Sequence, residues 1–382
     1  MTIQAIRKIL NRGFILTFFA HFTILSIFFI LIPTLPIYLS RSGSTEVEIG
    51  VLIGIFTVSS LVIRPFIGRA LLKTPEKKFM IAGTLFFAFT SIAYLFAPPF
   101  WPFIIVRFFQ GIGFALFHTA SFTLIANITS ESHQGESLSY FTLASTISGA
   151  LAPPLGIFLI NHFSFTFLFL VCSGLSLCSL VITSRLGRRP ITPLENPSKK
   201  NEFILSRKAL PPSIINSFSF FTWGALATFF PLFAINHGMT NPGLFFTAVA
   251  LMLLLGRTLG GKIIDLYSRD RIIMPCLIIS IVSMVVLAFS KTLPMFILVA
   301  VIWGTGSAFL TPSLVAFALD RGGSPGPAMG TFTALSDLGL SLGPVIMGIV
   351  LHSTHYPIMF LCLALTGIIN LNYFYFFVRE KG

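Results

Sequence analysis

The chain has 382 residues, of which 55% are hydrophobic and only 10% charged, with 44 Phe and a formal net charge of +13. Soluble globular chains carry about 25% charged residues, so the composition excludes an ordinary soluble enzyme and points to helices that face lipid or one another. The excess base lies in loops between apolar runs, the pattern of a positively biased membrane side and not of a nucleic-acid-binding face.

Apolar runs of about 20 residues can cross a bilayer as helices. Taken in order, such runs predict spans at 14–39, 47–72, 79–97, 100–127, 138–161, 164–184, 210–235, 243–266, 272–290, 293–319, 327–352 and 356–378. The first run follows a basic N-terminus (Arg7, Lys8, Arg12). It is too long for a signal-peptide core and lacks a small-residue cleavage site, so it reads as the first span. An even number of spans places both termini on one side. Twenty Lys and Arg fall in the loops and ends of that side, against Arg41 and Lys291 on the other, which predicts cytoplasmic termini.

The segment from Arg185 to Lys208 is the one substantial hydrophilic stretch and carries Pro190, Pro193 and Pro197, as an extended tether would. The expected organisation is an N-terminal six-helix bundle (1–184), a cytoplasmic central loop (185–208) and a C-terminal six-helix bundle (209–382). Cys172, Cys178, Cys276 and Cys362 lie inside apolar segments without metal-ligand spacing, and read as small hydrophobes. No phosphate loop, nucleophile elbow or metal cluster is legible. The expectation is therefore a non-enzyme with no cofactor and no metal.

Internal repetition supports the two bundles. Arg64-Pro65-Phe66-Ile67-Gly68-Arg69 is echoed by Arg257-Thr258-Leu259-Gly260-Gly261-Lys262, 193 positions later, and Gly111-Ile112-Gly113 by Gly304-Thr305-Gly306 at the same offset. Pro36 pairs with Pro231 at 195, and Gly149 with Pro153-Pro154 pairs with Gly339 and Gly343-Pro344 at 190. Duplication at half the chain length is a mark of transporter folds.

On these residues the chain resembles the major facilitator superfamily over essentially its whole length. The loop motif after span 2 corresponds to Gly68-Arg69 and Lys77-Lys78, and its second copy to Gly261, Asp265, Arg269 and Arg271. The span-4 motif corresponds to Arg107, Gln110 and Gly111. The span-5 motif corresponds to Gly149, Pro153 and Pro154, with Pro where the second Gly usually stands. The resemblance implies an all-α membrane protein of twelve transmembrane helices in two pseudo-symmetric six-helix bundles. It also implies the sugar or multidrug efflux permease branch, and alternating access in which spans 1, 4, 7 and 10 line the cavity. Leu72 stands where the first loop motif expects Asp, while the second copy keeps Asp265. The resemblance gives the loop-motif Asp a part in latching the cytoplasmic face, so a first-half latch, if present, must use other partners. Arg64, Gly68, Arg69, Arg257, Gly261, Lys262 and Asp265 are the candidate gating residues. Arg64 and Arg257 fit either a shared structural or gating task, given their repetition beside glycines, or snorkelling to lipid headgroups.

Ionisable side chains inside a membrane cost about +2.5–3.5 kcal/mol at a helix centre, so each needs a partner or a task. Asp337, about ten residues into span 11, is the one deep carboxylate. It fits either proton or substrate coupling, or a structural pair with a cation. Helical geometry puts Gly339 on the opposite face. Arg107, Phe114 and His118 share a stripe of span 4, with Gln110 and Gly111 close by. Such a stripe suits a cavity for a polar or anionic solute, with Arg107 either tuning the acid and holding solute or acting as a charge brace. His21 aligns with Asn216 at an offset of 195, and Asn216, Phe220 and Trp223 share a face of span 7. They are candidate cavity walls or plain interhelical hydrogen bonds. Gly149, Gly339 and Gly343 permit close helix approach, and Pro153, Pro154 and Pro344 permit bending.

The expected function is a proton-coupled exporter of a small organic solute, acting as a monomer in a bacterial inner membrane, with solute, protons and lipid as partners. The alternatives are a proton symporter or facilitator that imports a metabolite, and a membrane sensor that has lost transport.

Overall fold

The computed structural model describes residues 11–98, 100–129, 134–187, 206–266, 269–322 and 325–379. Side chains at 134–136, 257–266, 269, 322, 325 and 326 lie outside the description. Among the described residues there is no strand, and the fold is built from twelve long helices. These are α1 (Arg12–Arg41), α2 (Glu46–Leu71), α3 (Glu76–Ala93), α4 (Trp101–Ile128), α5 (Gln134–His162), α6 (Phe165–Ser184), α7 (Leu210–Asn236), α8 (Gly243–Leu266), α9 (Arg269–Ala288), α10 (Leu293–Gly322), α11 (Pro325–Ser353) and α12 (Tyr356–Tyr373). A 3₁₀ turn (Arg207–Ala209) precedes α7, and a π-helical turn (Phe374–Val378) continues α12.

Each helix falls on an expected span, because in hydrocarbon a chain must satisfy its backbone polar groups within itself. Ten of the helices are long and apolar enough to cross a membrane. The other two are α3, whose 18 residues open with Glu76, Lys77 and Lys78, and α8, whose described side chains give a shorter apolar stretch, Gly243–Gly256. The exposed residues are largely apolar, among them Phe89, Phe96, Trp101, Phe376 and Phe377, as a lipid-facing surface requires. The protein is a multi-pass membrane protein.

Local signals set the helix ends. At the start of α2, Glu48 N–H donates to Thr45 Oγ1 (3.3 Å) and Thr45 N–H donates to Glu48 Oε2 (2.8 Å), a reciprocal capping box. Gly43, at φ 86°, makes the turn out of α1, a backbone conformation that favours glycine. Lys77 Nζ donates to the Ser184 and Leu186 carbonyls, both at 2.6 Å, so a cation satisfies the end of α6.

By contact the chain falls into two compact units, residues 1–32 with 58–197 and residues 33–57 with 198–382. In the first, α3 packs on α4, where a Cβ added at Gly83 would lie 2.7 Å from the Gly113 carbonyl oxygen. In the second, α11 packs closely along α7, and aromatic rings fill the core, as in the Phe230–Phe245 pair with centroids 4.0 Å apart. Gly113 meets Phe86 of α3, and Gly306 meets Ile279 of α9. The two glycine-x-glycine repeats thus serve equivalent helix pairs.

Candidate functional site

In the second unit, α11 presents two faces. On one, Gly339 and Gly343 lie against the backbone of α7. A Cβ at either position would penetrate the carbonyl oxygen of Ser217 or Phe221. Gly224 of α7 answers from the other side, where a Cβ would come within 2.6 Å of the Leu340 carbonyl oxygen. On the same face Ser336 accepts a 2.6 Å bond from Asn216 Nδ2. Asn216 is 0% exposed and its Oδ1 has no hydrogen-bond partner among the described residues. It faces α11, while Phe220 and Trp223 remain half-buried.

The other face of α11 meets the first half of α2 within this unit. A Cβ at Gly54 would lie 2.8 Å from the Ser341 carbonyl oxygen, one at Gly50 would penetrate the Pro344 carbonyl, and one at Gly348 would lie 2.6 Å from the Glu46 carbonyl oxygen. Gly50 and Gly54 stand four apart, the small-residue spacing that lets membrane helices touch backbone to backbone. The sequence carried that signal, and it was not among the expected site residues. At the end of this seam His352 Nδ1 lies 3.1 Å from Glu46 Oε2. Asp337 continues the same face one turn beyond Ser341, and its carbonyl accepts from Ser341 Oγ at 2.6 Å. The Asp337 residue is 9% exposed. Among the described residues it is the one carboxylate in the middle of a span.

In the first unit the stripe on α4 divides. Arg107, 5% exposed, donates from a guanidinium nitrogen to Gln110 Oε1 at 2.7 Å, and Tyr94 at the end of α3 donates its hydroxyl to the same oxygen at 2.6 Å. Gln110 is 0% exposed, with Nε2 lacking a partner among the described residues. Tyr94 also packs on Phe103 and on Phe169 of α6. About two and three turns beyond Arg107, Phe114 and His118 join His21 of α1. The His21 and His118 rings are 5.3 Å apart, and His118 lies 5.0 Å from Phe114. Phe117, Phe122 and Phe141 close around His21, and Ser121 Oγ lies 3.1 Å from His21 Nδ1. The structure therefore brings His21, Phe114 and His118 together, and groups Arg107 with Gln110 elsewhere on the same helix.

The remaining expected residues are dispersed. Arg64 is half-buried and Arg69 and Leu72 are exposed. A Cβ at Gly68 would meet open space, so packing does not demand glycine there. A Cβ at Gly149 would make only ordinary contact with the Phe29 ring, at 3.4 Å, and Pro153 and Pro154 continue α5 without ending it. Pro344 is part of the α2-facing seam. The side-chain positions at Arg257, Gly261, Lys262 and Asp265 lie outside the described residues.

These helices, their duplication and their buried polar positions can be set against known proteins. The Major Facilitator Superfamily model matches residues 17–324 and, in a second overlapping match, 213–382. The chain belongs to the Major Facilitator Superfamily. An uncharacterized MFS-type transporter of Methanocaldococcus jannaschii is 27% identical over 356 residues, spanning 89% of this chain and 91% of its own. The staphylopine export protein of Staphylococcus aureus is 25% identical, covering 92% and 91%, and multidrug resistance protein 2 of Bacillus subtilis is 24% identical, covering 87% of each. In fold, the crystal structure of nucleoside transporter NupG superposes with a TM-score of 0.79 at 14% identity, over 97% of this chain and 100% of that one. The superfamily chain is thus a membrane transporter of small molecules and not an enzyme.

Proposed function

We propose that this superfamily member is a proton-coupled exporter of a small organic solute, working by alternating access, with both termini in the cytoplasm of a bacterial inner membrane. The observation that carries the reading is the position of Asp337. An acid in the middle of a span needs a reason to be there, and this one stands one turn past the end of a backbone-tight seam. A group so placed changes its surroundings when the seam parts, and proton affinity follows hydration. Proton and solute then compete for one state of the protein, which couples their fluxes.

Export rests on likeness to the staphylopine export protein and multidrug resistance protein 2 along about nine-tenths of the chain. In this reading each unit offers its own aromatic surface to an amphipathic solute, the first through the half-buried His118 with Phe114 and His21 near it, the second through the half-buried Phe220 and Trp223. Arg107, fixed by Gln110 and Tyr94, holds positive charge in the first unit. Arg64, Arg69 and the second-copy residues belong to the cytoplasmic gate. The positive-inside bias supports cytoplasmic termini.

The test compares metabolites retained in cells lacking the protein with those depleted in cells overproducing it, and loads the candidates into proteoliposomes with an imposed pH gradient. Uphill movement driven by the gradient is expected. Asp337→Asn should abolish accumulation and leave equilibration intact. Wild-type movement indifferent to the gradient would contradict coupling and favour a facilitator.

A further inference from the structure

Beside the second copy of the loop motif, whose Arg271 lines it, α9 and the π-helical end of α12 flank an open groove of about 390 Å³. Its walls are Met274, Pro275, Ile278 and Ile279, and its charged groups are Asp270, Arg271 and Arg379. The charge is confined to one end, since Asp270 and Arg271 stand in the first turn of α9 and Arg379 directly follows the π turn. Arg379 N–H donates to the Phe374 carbonyl at 2.8 Å, and its guanidinium lies over the Tyr375 ring at 5.3 Å. Arg321 of α10 donates to the Val378 carbonyl at 3.2 Å, adding a third guanidinium near this end.

We infer that this groove binds an anionic phospholipid, its phosphate held by Arg271 and Arg379 and one acyl chain lying along Met274, Pro275 and Ile278. Three features fix the occupant. The groove opens toward lipid, since Ile278 is 41% exposed on a helix apolar enough to span. Its charged end coincides with the start of the apolar span Asp270–Ala288, and at span ends amphipathic rings such as Tyr375 settle and bases between helices bind acidic headgroups. Its balance is two cations to one carboxylate at the mouth of an apolar channel, which suits an anion with a hydrocarbon tail. A π turn, uncommon in helices and frequent at functional positions, brings Arg379 to the groove mouth.

The experiment is native mass spectrometry of the full-length protein in detergent, titrated with phosphatidylglycerol and with phosphatidylcholine of the same acyl chains. The wild type should retain phosphatidylglycerol preferentially. Each arginine contributes about 5-fold, so Arg271→Gln with Arg379→Gln should lower phosphatidylglycerol retention about 25-fold. Arg271→Lys with Arg379→Lys should keep most of it, which separates charge from folding. Ile278→Trp, filling the channel, should lower retention of both lipids, while Lys291→Gln, at the opposite end, should change neither. Equal retention of the two lipids in the wild type, or undiminished phosphatidylglycerol in the double Gln variant, would overturn the proposal. So would displacement of the lipid by inorganic phosphate at comparable concentration, which would mark a site for free phosphate.

Discussion

The pairing of α11 with α7 and the pairing of α5 with α1 occupy equivalent places in the duplicated chain, yet different chemistry holds them. Along α11, Gly339 and Gly343 touch the Ser217 and Phe221 backbone so closely that no side chain fits. Along α5, Ser148 donates to the Phe22 carbonyl at 3.2 Å and lies 3.3 Å from Ser26 Oγ, while Gly149 leaves room for the Phe29 ring. One seam is backbone against backbone, and the other is held by side chains, a serine hydroxyl on a carbonyl and on a second serine. The backbone seam tolerates no widening, so α7 and α11 should move as one body. The hydroxyl seam can adjust by rotamer changes. Asp337 lies on the helix of the rigid seam, so any change in its exposure arises on the opposite, α2-facing side of α11.

The contrast can be broken most readily at the rigid seam. Gly339→Ala with Gly343→Ala should force α11 from α7 and destabilise the protein by about 1–3 kcal/mol per site, read as a lowered midpoint in thermal unfolding of the solubilised protein. An unchanged midpoint would remove the rigid-body argument. Next in size is the α2 seam. Gly50→Leu should hold α2 off Pro344, so that Ser341→Cys in that background reacts faster with a membrane-impermeant maleimide than in the wild-type background. Equal labelling rates would show that the seam does not depend on its glycines. Ser148→Ala should cost only about 0.6 kcal/mol, the usual worth of an interhelical hydrogen bond in membranes. Smallest of all, Gly149→Ala should stay within about 0.5 kcal/mol, because its methyl would meet Phe29 at ordinary contact distance; a large loss there would erase the asymmetry.

The twelve helices were legible because hydropathy alone dictates them, and the positions of most ends followed from where charge and proline begin. The site was legible only in part. A helical wheel for α4 aligned Arg107, Phe114 and His118 as one stripe, which the structure divides between two clusters, because a wheel has no neighbours. It could not show that Tyr94, at the end of α3, meets Gln110, or that His21 of α1 meets His118. Gly149 and Gly339 stand in matched motifs, yet only the partner helix decides which glycine is obligatory: a Phe ring in one case, a carbonyl oxygen in the other. Gly50 and Gly54 carried a readable spacing, but identical spacings abound in apolar helices, and α11 supplies the reason for this one.

The central claim is that Asp337 takes up and releases a proton, and it can be tested without knowing the solute. Infrared difference spectra of the reconstituted protein between acidic and alkaline pH should contain a protonated-carboxyl band that vanishes as the pH rises. That band should be missing from Asp337→Asn, with the remaining carboxyl signals intact. A wild-type band that persists unchanged in the variant would assign the proton elsewhere and contradict the account.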